Sequence, residues 1–195
     1  MKVVVVSQRI DSHPERTETR DALDQRLTTF VGLCGHLSVP VPNNLDGAIH
    51  DWLTTINPAA VILSGGNNIG EYLERDATEA VLLSFAKGRE LPLLGICRGM
   101  QMMACWAGTG LHPVRDHVRT RHNLSGEIAC EVNSYHNLSL VRCPDDFEVL
   151  ARSEDGEIEA IRHQYLPWEG WMWHPEREES FADRDVQRIK ALFCG

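Results

Sequence analysis

No apolar run in the chain approaches a membrane span, and the longest near its start covers only residues 3–6. The charged, apolar and cleavage regions of a secretory leader are also missing, because Gln8 and Arg9 interrupt the opening strand-like run at once. A cytoplasmic protein with no membrane partner is the expectation. Positive charge is scarce: 19 Lys and Arg against 28 Asp and Glu leave a net charge of −9. That balance excludes a general nucleic-acid-binding surface, though not a few arginines gathered around one anionic ligand. The six cysteines (Cys34, Cys97, Cys105, Cys130, Cys143 and Cys194) form no Cys-x-x-Cys pair, so neither a disulfide framework nor a zinc ribbon is expected. Internal repeats, low-complexity tracts and linkers are lacking too, and residues 1–195 read as a single domain. What remains, 43% hydrophobic and 24% charged residues, is the composition of an ordinary globular protein.

The apolar pattern alternates short β-branched runs with amphipathic stretches. Strands are expected over 2–7, 37–41, 59–63 and 91–96, and helices over 17–33, 46–55, 74–87 and 98–107. The 17–33 helix is read from Ala22, Leu23, Leu27, Phe30 and Val31 at helical spacing, with Gly32 and Gly35 to end it. The 74–87 helix is expected to turn Ala77, Ala80, Val81, Leu83 and Phe85 inward. Such alternation implies a parallel sheet covered on both faces. After Gly110 come shorter segments near 117–124, 128–132, 138–141, 147–152 and 158–162, expected as antiparallel strands on one side of that sheet. A last strand over 171–173 and a helix over 185–193 close the chain.

Cys97 stands where the strand over 91–96 gives way to a helix, between Gly95 and Gly99. A thiol at a strand's carboxyl end reaches into the crevice of an α/β sheet, and the following helix N-terminus favours its thiolate. A cysteine nucleophile needs a base and an orienting partner. His174 follows the apolar 171–173 segment, and Glu176 lies two residues on, so that extended backbone would aim both side chains the same way. The loop Ser64-Gly65-Gly66-Asn67-Asn68 offers backbone N–H groups at the same edge. Residues 133–137 read as a polar loop between strands. His112, His117 and His122 recur at an interval that fits neither a zinc helix nor a finger, and are expected as unrelated strand or loop residues.

Gly95-Ile96-Cys97-Arg98-Gly99-Met100-Gln101, with Gly65-Gly66 upstream and His174-Pro175-Glu176 downstream, resembles the class I glutamine amidotransferase superfamily in order and separation. The resemblance implies an α/β, three-layer, flavodoxin-like class I glutamine amidotransferase fold. Its sheet would be mostly parallel, with a small antiparallel extension. It implies a Cys97–His174–Glu176 triad and an oxyanion hole from the backbones of Gly66 and Arg98. Gln101, Ser134, Tyr135 and His136 match positions that hold a γ-glutamyl group, and Gly65, Asn67 and Arg9 are further candidate substrate contacts. Hydrolysis of a γ-glutamyl amide through a thioester follows, with no metal or organic cofactor. Arg98 after the cysteine is more similar to free-standing γ-glutamyl hydrolases than to glutaminase subunits. Segments 7–9, 15–24 and 65–70 look like the smaller group that cleaves γ-glutamyl-CDP-amidate in capsule phosphoramidate synthesis. An anionic nucleotide would suit Arg9, Arg16 and Arg20. The alternatives are a glutaminase subunit passing ammonia to a synthase partner, a γ-glutamyl-γ-aminobutyrate hydrolase, and a catalytically silent binding relative.

Overall fold

A computed structural model describes residues 1–194. Lys2–Val6 forms β1, and its alternation settles the layering at once. Val4 and Val6 enter one core, and Val5 enters another on the opposite face. Arg9–His13 (β2) and Glu18–Ala22 (β3) pair antiparallel as a hairpin, joined through a 3-10 turn at Pro14–Arg16. Next come α1 (Gln25–Leu33), β4 (His36–Pro40), α2 (Ile49–Ile56), β5 (Ala60–Leu63), α3 (Leu73–Gly88), β6 (Leu93–Ile96) and α4 (Arg98–Trp106). The second half contributes β7 (Leu111–Pro113), β8 (Val118–Asn123), β9 (Ser125–Gly126), β10 (Glu131–Tyr135) and β11 (Leu138–Leu140). It ends with β12 (Phe147–Arg152), β13 (Ile158–His163), β14 (Trp168–Trp171) and α5 (Asp183–Cys194).

Eight strands form one sheet in the order β4-β1-β5-β6-β14-β13-β12-β9. The β4-to-β14 half is parallel, and the pairs beyond β14 are antiparallel. Helices α1 and α5 bury Leu27, Phe30, Ile189 and Phe193 on one face, whereas α2, α3 and α4 bury Leu53, Leu82, Leu83 and Met103 on the other. This is the expected three-layer, mostly parallel α/β architecture. No described helix is long and apolar enough to cross a membrane.

Helix α4 is set very close to the sheet, which fixes where the turn before it lies. A Cβ added at Gly99 would sit 2.0 Å from the Leu63 carbonyl oxygen, and backbone on both sides leaves nowhere to yield. Gly99→Ala is expected to cost about 3 kcal/mol by overpacking. The measurement is the midpoint of urea unfolding at unchanged m-value.

Several elements differ from the sequence expectation. Residues 17–33 are not one helix: Glu18–Ala22 is a strand, and the helix starts at Gln25 with Asp24 capping it by accepting from the Arg26 N–H at 2.9 Å. The charged, solvent-facing β3 mimicked helical spacing, while Leu23 reaches the core from the connecting loop. On α3, Leu83 and Phe85 are buried as expected and Ala80 and Val81 partly so, but Ala77 is exposed, and the buried stripe also takes in Arg75, Thr78, Glu79 and Leu82. The 171–173 strand is Trp168–Trp171, because Glu169 interrupts the apolar run while staying buried. Its carboxylate accepts from Arg188 and from Trp171 Nε1. Strands β12 and β13 continue the main sheet rather than lying on one side of it. Residues 133–135 belong to β10, paired with β8, so only His136 and Asn137 remain of the supposed loop.

Candidate active site

Cys97 occupies the turn between β6 and α4 with φ 51° and ψ −106°, a conformation costly for a residue with a side chain. Its N–H donates to the Trp171 carbonyl at 2.7 Å, which pins the turn to β14. The result is a small, buried thiol held at the parallel strands' carboxyl edge.

His174 lies three residues beyond β14, not directly at its end. Asn133 fixes it from both sides, accepting from the His174 N–H at 2.9 Å and donating to its carbonyl at 2.8 Å. Extended alternation does not bring Glu176 back to it. The 3-10 turn Pro175–Arg177 does, placing Glu176 Oε1 2.6 Å from His174 Nδ1. The ring lies on Gly65, where a Cβ would approach Cε1 to 2.5 Å, and Tyr135 meets it edge-on at 5.8 Å between centroids. Burial alone would push the His174 pKa down. Cys97 beside it and the Glu176 carboxylate outweigh that and raise it to about 9. The three side chains therefore suit an imidazolium set against a sulfur and held by a carboxylate.

The glycine loop is shaped by a residue that the apolar pattern did not reveal. Arg75 is fully buried, and its guanidinium donates to the carbonyls of Ser64 at 2.8 Å, Gly65 at 3.0 Å and also Gly66. A trans peptide points its N–H opposite to its C=O. With the Gly65 carbonyl drawn back onto Arg75, the Gly66 N–H faces away from Arg75. Among the described residues neither the Gly66 nor the Arg98 N–H has an intramolecular acceptor. The Arg98 side chain turns away from the cleft, onto Glu79 and Asp76. Glu79 also accepts from Arg75 Nε at 3.1 Å and from Ser7 Oγ at 2.7 Å. Burial lowers the Arg75 pKa to about 10, with Glu79 opposing the fall. The only sequence trace of this network was Arg75 and Glu79, i and i+4 on an amphipathic helix.

Two cavities of about 210 and 290 Å³ meet at Gly66, His174 and Arg177. The smaller contains Cys97, Arg98, Gln101, Asn67, Tyr135 and His136. The larger is lined by Arg9, Gly65 and Glu176 among others. Gln101 Nε2 donates to the Leu138 carbonyl at 2.9 Å. Asn67 faces the cavity but spends its amide on Ile10, which ties the β2–β3 hairpin to the loop. Ser134 is not at the cavity: its Oγ donates to the His117 carbonyl at 2.6 Å, fully buried. His136 borders the cavity with both ring nitrogens engaged inside the protein. Arg16 and Arg20 stay on the exposed hairpin beside Glu15 and Glu18, outside both cavities. Arg177 was not anticipated; it lines both cavities and lies over the Tyr135 ring at 4.8 Å.

Comparison with known proteins matches residues 19–191 to the family described as glutamine amidotransferase class-I. A γ-glutamyl-CDP-amidate hydrolase of Campylobacter jejuni is 34% identical over 140 residues, 69% of each chain. A glutamine-hydrolysing GMP synthase subunit from Thermoplasma acidophilum is 29% identical over 79% of this chain and 78% of its own. A crystal structure of a GMP synthase subunit from the same organism superposes with a TM-score of 0.75 at 21% identity, covering 100% of this chain and 95% of that one.

Proposed function

The chain belongs to the class I glutamine amidotransferase family, and from that premise we propose that it hydrolyses a γ-glutamyl amide bond through a thioester on Cys97. The observation that carries this reading is the His174–Glu176 pair, joined at 2.6 Å and set against a cysteine on a strained turn. Cys97 Sγ attacks the γ-carbonyl carbon, and the displaced electron pair rests on oxygen between the Gly66 and Arg98 N–H groups. Collapse breaks the C–N bond while the His174 imidazolium delivers its proton to the leaving nitrogen. Water then attacks the thioester as His174 takes its proton. The C–S bond breaks and glutamate leaves.

The proposed substrate is a γ-glutamyl nucleotide amidate, with the glutamyl part in the smaller cavity and the leaving group in the larger. Arg9 and Arg177 border that space and would face its phosphates. The 34% identity to a γ-glutamyl-CDP-amidate hydrolase supports this choice. The likeness to the GMP synthase subunit favours a second reading, a glutaminase that feeds ammonia to a synthase. Initial rates of the isolated chain on γ-glutamyl-CDP-amidate, glutamine and γ-glutamyl-γ-aminobutyrate decide between them. Rapid release of glutamate from the nucleotide amidate alone is expected. Glutamine turnover that appears only with an added synthase overturns it.

The pH profile tests the base. His174 must hold its proton to protonate the departing nitrogen, so kcat/KM is expected to fall as pH rises through about 9. Glu176→Gln removes a charge that raises the His174 pKa, and the alkaline limb moves to lower pH. A limb unmoved in this variant assigns that ionisation to another group.

A further inference from the structure

Away from Cys97, four side chains converge where the β8–β10 ribbon meets the main sheet. His117 precedes β8, His122 lies within it, His136 follows β10, and Glu159 comes from β13. One donor atom from each lies within 4.8 Å of all the others. His117, His136 and Glu159 are almost wholly buried; none of the four takes part in the bond-making steps, although His136 also borders the smaller cavity.

The spacing is that of ligands around an ion. His117 Nδ1 lies 3.3 Å from His136 Nε2, and Glu159 Oε1 lies 3.2 Å from His136 Nε2 and 3.4 Å from His117 Nδ1. Zinc bonds N and O donors at about 2.0–2.1 Å, which puts the ligand-to-ligand edges of a tetrahedron at about 3.3–3.4 Å. Three donors thus already form one face of such a tetrahedron. His122 Nε2 is buried without a hydrogen-bond partner, as is the second carboxylate oxygen of Glu159. A buried imidazole nitrogen left unpaired costs free energy that metal ligation would recover.

The far sides of two rings are fixed as well. His117 Nε2 meets Asp155 Oδ2 at 2.9 Å, and His136 Nδ1 meets the Leu138 carbonyl at 3.1 Å. An acceptor on the outer nitrogen keeps the proton there and turns the lone pair inward. Three imidazoles with one carboxylate suit zinc and poorly suit magnesium or calcium. We propose that His117, His122, His136 and Glu159 form a closed structural site for a zinc ion, stapling the β8–β10 ribbon to β13. The Leu138 carbonyl that receives His136 also receives Gln101, so the staple would steady the wall of the Cys97 cavity.

The full chain, purified from zinc-supplemented medium, is expected to carry close to one zinc per molecule by elemental analysis. Stripping with a chelator lowers Tm, and zinc restores it; cobalt(II) gives the visible absorption of a tetrahedral centre. His122→Gln abolishes the zinc dependence of Tm, while Asp155→Asn, which leaves all four ligands in place and changes the carboxylate behind His117, weakens zinc binding about 10–100-fold. A folded chain whose Tm ignores added zinc overturns the proposal. Undiminished zinc binding by His122→Gln does so too, and stoichiometric loading by manganese(II) in preference to zinc overturns the zinc assignment. Metal content and Tm are read without substrate, so the result does not depend on the γ-glutamyl reading.

Discussion

Cys97→Ala is expected to lower kcat/KM on every γ-glutamyl substrate by about 10⁴–10⁶-fold, the cost of removing the nucleophile from a cooperating set. No other thiol is placed to substitute, and the exposed Cys194 lies outside both cavities. Burial pushes the Cys34 thiol up to about 11 and raises those of Cys105, Cys130 and Cys143, so none is an effective nucleophile near neutral pH. None of these lines the two cavities around His174. Alanine keeps the positive φ of the turn and removes one small buried group, so unfolding should change by no more than about 1–2 kcal/mol. A γ-glutamyl diazo-ketone, followed by peptide mass spectrometry, should label Cys97 in the wild type and no cysteine in the variant. Residual turnover within tenfold of wild type, or labelling of a different cysteine, ends the thioester mechanism.

The Cys97 turn was legible because an apolar run that stops at a glycine before a helix has few other meanings in an α/β chain. His174 was legible because Pro175 and Glu176 follow it, although a 3-10 turn, not strand alternation, brings the carboxylate home. Where the reading failed, local pattern was overruled by tertiary pairing. Glu18 to Ala22 is stabilised by β2, and nothing within 17–33 announces that partner. Glu169 reads as a strand breaker until Arg188, nineteen residues on, is placed against it. Arg75 and Glu79 read as solvated helix charges because their partners, the 64–66 carbonyls, Arg98 and Ser7, are distant in sequence. The His117–His122–His136–Glu159 cluster draws on three separate segments, so the His117–His122 interval alone could not have assembled it.

Arg75 is where that hidden layer should have its largest effect on both stability and rate. Arg75→Met leaves Glu79 with less compensating charge and frees three carbonyls, that of Ser64 buried and those of Gly65 and Gly66 part-buried at the cavity edge. Breaking one partner of a buried ionic network costs about 3–5 kcal/mol. For a domain of this size that lowers Tm by roughly 6–20 °C, at about 2–4 °C per kcal/mol. Loss of stability alone would not implicate the oxyanion site, so the informative variant is Arg75→Lys. Lysine keeps the charge beside Glu79 but cannot grip several carbonyls in one plane. The Gly65–Gly66 peptide is then free to rotate, and its N–H leaves the position expected to meet the oxyanion. A displaced oxyanion donor costs about 10²–10³ in kcat, with a much smaller change in KM because the interaction forms chiefly in the transition state. Steady-state kinetics of a lysine variant that melts within a few degrees of wild type gives the answer. If kcat is preserved there while KM rises, Arg75 supports the fold of the loop, and the Gly66 N–H is not an oxyanion donor.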